Sequence, residues 1–125
     1  MKILTLSIKQ SYFDEIKAGK KKTETREIRP TTSSKYIEYL YKGKRYPEGK
    51  VTNEMAGVEA VPIQYEAIKF LTGEYKGTRP SMIVEVTGAT INILVDEKGE
   101  EIVYEHNNNE YVAAEIVYSL GAVIG

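Results

Sequence analysis

Two stretches of this chain change the phase of their apolar alternation partway along, and a chain that does this cannot fold as a flat sheet. In the segment from Val58 to Leu71, inward positions run Val61, Ile63, Tyr65 and then shift to Ile68 and Phe70. From Ser81 to Leu94 they run Met82, Val84, Val86 and then shift across Gly88 to Ile91, Ile93 and, just beyond, Val95. Side chains alternate strictly along a strand, so a shift by one residue moves the apolar row to the other face unless the strand bulges or bends. Two long bent strands predict a sheet that curls toward a barrel.

The rest of the chain supplies the other strands. Leu4, Leu6 and Ile8 form one apolar face of an opening strand, which predicts a central place in the sheet. Ser11 and Asp14 have capping-box spacing, Phe13 and Ile16 make a buried stripe, and Gly19 stands where a left-handed residue ends a helix. A short helix over Ser11 to Ala18 is predicted. Thr23 to Ile28 reads as a strand stopped by Pro30 and the polar run 31–34. A brief helix capped by Ser33 or Ser34 follows, then a long loop through Gly49 to Gly57. Asp96 to Gly99 and Asn107 to Asn109 read as turns around a strand at Glu101 to Tyr104. In the final strand Val112, Ala114, Ile116, Tyr118 and Leu120 share a face. The predicted class is α+β: one domain over 1–125, a strongly bent, mostly antiparallel β-barrel with one or two short helices.

Composition narrows the chemistry. The chain has 125 residues and no cysteine, which excludes disulfides, thiolate nucleophiles and cysteine zinc sites, and fits a reducing, cytoplasmic setting. No apolar run is long enough to span a bilayer, and the first strand lacks the features of a signal peptide. His106 is the single histidine, so no metal is expected. No phosphate-binding glycine loop is present, so no nucleotide cofactor is expected. Asp96, Glu97, Glu100 and Glu101 lack EF-hand spacing and read as a solvated turn. Residues 1–50 carry 13 Lys and Arg against 6 Asp and Glu, whereas residues 51–125 carry 4 against 12. If that division survives folding, one face is basic enough to attract phosphates.

The most pointed local pattern is Gly19, Lys21, Glu24 and Arg26, spaced Gly-x-Lys-x-x-Glu-x-Arg and embedded in the triplet Lys20-Lys21-Lys22. Glu24 and Arg26 lie two apart on a strand and project from one face, with Lys21 just before them. Crowding by Lys20, Lys22 and Arg26 disfavours the charged form of Lys21, whereas Glu24 favours it. The plainer readings are a surface ion pair between Glu24 and Arg26, worth at most about 1 kcal/mol, and a basic turn favoured at a helix C-terminus. Joint spacing, rather than any single residue, favours function.

This pattern, with the opening strand-helix-strand and the strands at Met82 to Val86 and Ala114 to Gly121, resembles the ASCH domains, relatives of the RNA-binding PUA domains. The resemblance implies a PUA-like barrel and a cleft lined by Lys21, Glu24 and Arg26 that accepts RNA, a nucleoside or a nucleotide. Some ASCH relatives remove the acetyl group from acetylated cytidine with the motif lysine, a Thr where this chain has Glu24, and a later Glu. Glu24 is thus a departure from the hydrolase pattern. Glu54, Glu74, Glu97 and Glu110 are all open as the later carboxylate. If the chain is an enzyme, Lys21 and Glu24 are its catalytic pair.

Around this centre, Lys20, Lys22, Arg29, Lys42, Lys44, Arg45 and Tyr46 are candidate nucleic-acid contacts, because rings stack on bases while cations follow phosphates. Tyr36 and Tyr39 read as the inner face of the short helix, and Tyr41 and Tyr46 as exposed. Arg79 reads as a surface residue with a lesser prospect of phosphate contact. The expected function is RNA or nucleoside binding. The alternative is hydrolysis of an acylated nucleoside. A third class, protein interaction through the acidic half, has no positive sequence feature behind it, and the sequence is silent on oligomeric state.

Overall fold

The computed structural model describes residues 1–73 and 79–125. In chain order the elements are β1 (Ile3–Ser7), α1 (Gln10–Lys17), β2 (Thr23–Ile28), α2 (Ser33–Tyr36), β3 (Ile37–Tyr41), β4 (Lys44–Tyr46), a single 3-10 turn (Glu48–Lys50), β5 (Glu59–Pro62), β6 (Ala67–Leu71), β7 (Ser81–Ile93), β8 (Val103–His106), β9 (Asn109–Val112) and β10 (Ala114–Val123). Strands dominate, with short helices, as the sequence predicts. Hydrogen-bonded neighbours run β1-β6-β7-β10-β2 in one sheet, β4-β3-β5 in a second and β8-β9 in a third. No helix among the described residues is long and apolar enough to cross a membrane.

Contacts group the chain into two compact units: 1–24, 64–89 and 118–125 form the first, and 25–63 with 90–117 the second. In the first unit β1 runs parallel to β6, pairing Leu4 with Ile68 and Leu6 with Phe70, and β6 runs antiparallel to β7, pairing Ile68 with Val84 and Phe70 with Met82. The registers draw two apolar rows across three strands, Leu4-Ile68-Val84 and Leu6-Phe70-Met82, and all six residues are buried. Each such side chain contributes about 1.5–3 kcal/mol by leaving water. Helix α1 adds Phe13 and Ile16, both buried. The parallel β1 stands first in the strand order rather than centrally. Its outward residues Ile3, Thr5 and Ser7 are exposed, so one apolar face suffices for an end position.

In the second unit β3 pairs antiparallel with both β4 and β5, and Tyr36, Ile37 and Ile63 are buried in it. The amide of Ile63 donates to the carbonyl of Tyr36 at 3.0 Å. β8 and β9 form a hairpin closed by Asn107 and Asn108, at φ 50° and 65°. Two consecutive left-handed residues make the mirror-image turn that matches strand twist, and Asn tolerates that region best after Gly.

In β7 the inward row passes from Met82, Val84 and Val86 to Ala89 and Ile91, with Thr87 and Gly88 both exposed, but Ile93 and Val95, expected to continue it, are 50% and 54% exposed. The other shift takes a different form from one bent strand: the chain leaves β5 at Pro62 and re-enters as β6 at Ala67.

Further corrections have local causes. α1 begins at Gln10, one residue early, with Lys9 at the cap position and no side-chain cap. The Ser11/Asp14 capping box does not form, because Ser11 lies inside the helix; Asp14 accepts instead from Gln10 Nε2 at 2.9 Å. α2 is capped by neither Ser33 nor Ser34, which lie inside it. The region after α2 is a hairpin, β3 and β4, closed by Lys42 and Gly43 at φ 49° and 78°. Lys-Gly carries a weaker turn signature than Asn-Gly, so the hairpin reads as a loop in sequence. The strand expected at Glu101 begins as a bridge to Val95 and becomes β8 at Val103. Ala114, Ile116 and Tyr118 are buried on β10, whereas Val112 is exposed and belongs to β9. The segment from Gly73 to Pro80, rich in turn residues by sequence, includes residues 74–78, which lie outside the described residues.

Candidate functional site

Helix α1 ends because Gly19 takes φ 76°, a conformation that L side chains resist. The amides of Lys20 and Lys21 then both donate to the Glu15 carbonyl, at 2.9 and 3.1 Å, wrapping the lysine triplet over the helix end. One residue on, the Lys22 carbonyl accepts from the amide of Leu120 at 2.9 Å. The triplet is thereby tied to α1 at one side and to β10 at the other.

This turn delivers Lys21 to Glu24, with Nζ 3.4 Å from Oε1. Glu24 is 5% exposed, unlike a surface ion-pair partner. The Lys21 ammonium also lies 5.4 Å from the centre of the Tyr12 ring, which is itself 44% exposed. Cation, carboxylate and accessible ring thus meet within the first unit, and Lys20 and Lys22 beside them are exposed. Tyr12 went unrecognised in sequence because no periodicity connects position 12 of a helix to the turn after it.

Along β2, Glu24 is buried and Arg26 and Ile28 half-buried, while Thr23, Thr25 and Glu27 are exposed. Arg26 belongs to the second unit, as do Arg29, Lys42, Lys44, Arg45 and Tyr46. Two of these guanidinium groups already have carboxylate partners. Arg29 Nη2 donates to Glu27 Oε2 at 2.8 Å, and that hydrogen bond and charge hold its pKa above the ordinary arginine value. Arg45 Nη1 donates to Glu38 Oε2 at 3.1 Å and to the Pro62 carbonyl at 3.2 Å, bracing the β3 sheet. Lys42 and Lys44 are exposed at the hairpin tip, with Lys42 Nζ 5.3 Å from the Tyr41 ring.

Tyr36 is buried, as expected of an inner face. Tyr41 and Tyr46, expected to be exposed, are half-buried, since strands β3 and β4 replace the loop. Tyr39 pairs in register with Tyr46. Burial first, and the negative charge of Glu48 second, raise the Tyr39 pKa above the ordinary 10.0. Arg79 is a clasp: its guanidinium donates to the carbonyls of Thr72 and Leu71, both at 3.4 Å, and to Ser7 Oγ at 3.2 Å. Of the open later carboxylates, Glu54, Glu97 and Glu110 are exposed, and Glu74 lies outside the described residues.

Comparison of the chain with protein-family models, with curated proteins and with solved structures finds no match.

Proposed function

We propose that this chain is a nucleic-acid-binding domain of ASCH type and PUA-like fold, with its contact centre at Lys21, Glu24 and the flanking lysines. One observation carries the reading: a carboxylate 5% exposed stands 3.4 Å from a lysine that lies over an accessible tyrosine ring. Burying Glu24 has a desolvation cost that an ordinary turn does not require, so the arrangement favours a binding role. Lys20 and Lys22 follow phosphate, Tyr12 offers a face to an unstacked base, and Glu24 accepts from a base amino group.

Titrating labelled single-stranded RNA at two salt concentrations tests this. Binding should weaken steeply with salt, and Lys21→Ala should weaken it further while the circular dichroism spectrum stays unchanged. A salt-independent affinity, or full affinity in Lys21→Ala, overturns the proposal.

The contact of Lys21 with Glu24 also favours a second reading, hydrolysis of an acylated nucleoside with Lys21 as base or nucleophile and Glu24 as its proton partner. Incubation with acetylated cytidine, followed by chromatography for cytidine, separates the two. No product, or equal product from Lys21→Ala, ends this reading.

A further inference from the structure

The second unit holds a cavity of about 250 Å³ with mixed walls. Ile91 and Val112 give it apolar surface, and Tyr39, Tyr104 and Tyr111 bring three rings to it. Tyr104 and Tyr111 are register partners across the β8/β9 hairpin, stacked at 5.8 Å between centroids and 26° between planes. The polar feature is Glu48, whose Oε1 accepts a 2.8 Å hydrogen bond from the hydroxyl of buried Ser33. That bond holds the carboxylate in place. A second cavity of about 320 Å³ shares Arg29, Pro30 and Tyr104 with the first and adds Glu27, Glu105 and His106.

Two observations identify what such a cavity would take. Lys2, Lys21, Lys35 and Lys42 each lie over a tyrosine ring elsewhere in the chain, yet among the described residues no lysine or arginine lies over the faces of Tyr39, Tyr104 or Tyr111. The charge around the cavities is also unbalanced. Arg29 is matched by Glu27 at 2.8 Å, which leaves Glu48 and Glu105 as carboxylates with no basic partner among the described residues. Rings with negative faces beside an unmatched carboxylate attract a positive group carried on an apolar body and repel an anion. The volume admits a small ligand rather than a polymer segment.

We infer that this cavity binds a small free organic cation, an alkylammonium or guanidinium compound, with Glu48 as its counter-charge and Tyr39, Tyr104 and Tyr111 as its walls. The assignment stands apart from the nucleic-acid reading, which concerns the first unit.

The probes are choline, agmatine and dimethylbutanol, the uncharged isostere of choline, followed by proton NMR of the full chain. Choline or agmatine at millimolar concentration should shift tyrosine ring resonances saturably, with the isostere at least tenfold weaker. Glu48→Gln keeps an acceptor for Ser33 and should weaken cation binding about tenfold, while Tyr111→Leu, at the hairpin, should weaken it similarly. Failure of both cations to shift the tyrosine resonances overturns the proposal. Equal binding of choline and its isostere, or unchanged affinity in Glu48→Gln, does so as well. A peptide carrying lysine or arginine that binds when both free cations do not would reassign the cavity to a protein partner and likewise overturn it.

Discussion

Glu24 and Glu27 share one strand and differ in what surrounds them, which makes them a direct measure of what burial does to a carboxylate here. Glu24→Ala removes a buried ion-pair partner from Lys21 and should lower unfolding free energy by about 2 kcal/mol in urea titration. Glu27→Ala removes an exposed pair with Arg29, screened by solvent, and should change it far less. Equal effects would mean that the Lys21–Glu24 pair is an ordinary surface contact. Tyr39 gives a second test at this scale. Its raised pKa means that the fold favours the neutral phenol, by burial and by the charge of Glu48. The associated stability is fully present below the unfolded-state value near pH 10 and is lost as pH rises through the folded-state value. Tyr39→Phe should therefore lose less stability than the parent between neutral and strongly alkaline pH, as followed by thermal melts.

Gly19 shows why an element ends where it does. With φ 76° and open space where a side chain would begin, Gly19→Ala should cost about 1 kcal/mol through backbone strain alone. Gly49 has equal space and no positive φ, so Gly49→Ala should stay within about 0.5 kcal/mol of the parent. Matching melting temperatures for the two variants would contradict this account. Features with a local cause were legible at this level. Leu4 and Leu6, the Phe13 and Ile16 stripe, the Gly19 stop and the β7 phase shift all follow from periodicity or a single residue's φ. Features set by partners were not. Which strand stands beside β1 depends on Ala67 to Leu71, more than sixty residues away, and the capping box at Ser11 and Asp14 is absent because the helix already begins at Gln10. The Tyr104/Tyr111 pair was within reach, because a two-residue turn at Asn107-Asn108 fixes every partner in the hairpin by counting outward. The Lys42-Gly43 turn offered no such clear marker. At the site, the contact of Lys21 with Glu24 was readable from spacing, whereas Tyr12 and the Ser33–Glu48 bond required the fold.

Over the whole molecule, the opposed charges of the two sequence halves are partly mixed by folding. The first unit holds nine Lys and Arg against six Asp and Glu, and the second eight against twelve. The surplus of +3 in the first unit includes the exposed lysines at the end of α1. If Lys20, Lys21 and Lys22 each neutralise a phosphate, log affinity for single-stranded RNA should fall with log salt at a slope of about −2, and Lys20→Ala should reduce that slope by about 0.7. An unchanged slope in Lys20→Ala would place the phosphates elsewhere. The chain's route through the two units also decides how such roles can be dissected. It passes from one unit to the other four times, and three of those passages, at 24/25, 89/90 and 117/118, fall inside β2, β7 and β10. Neither unit can therefore be expressed as an uninterrupted fragment, and a truncation long enough to delete one unit also removes most of the other. Mapping which half binds what will have to rely on point substitutions and resonance-by-resonance perturbation in the intact polypeptide, since deletion series would report only collapse.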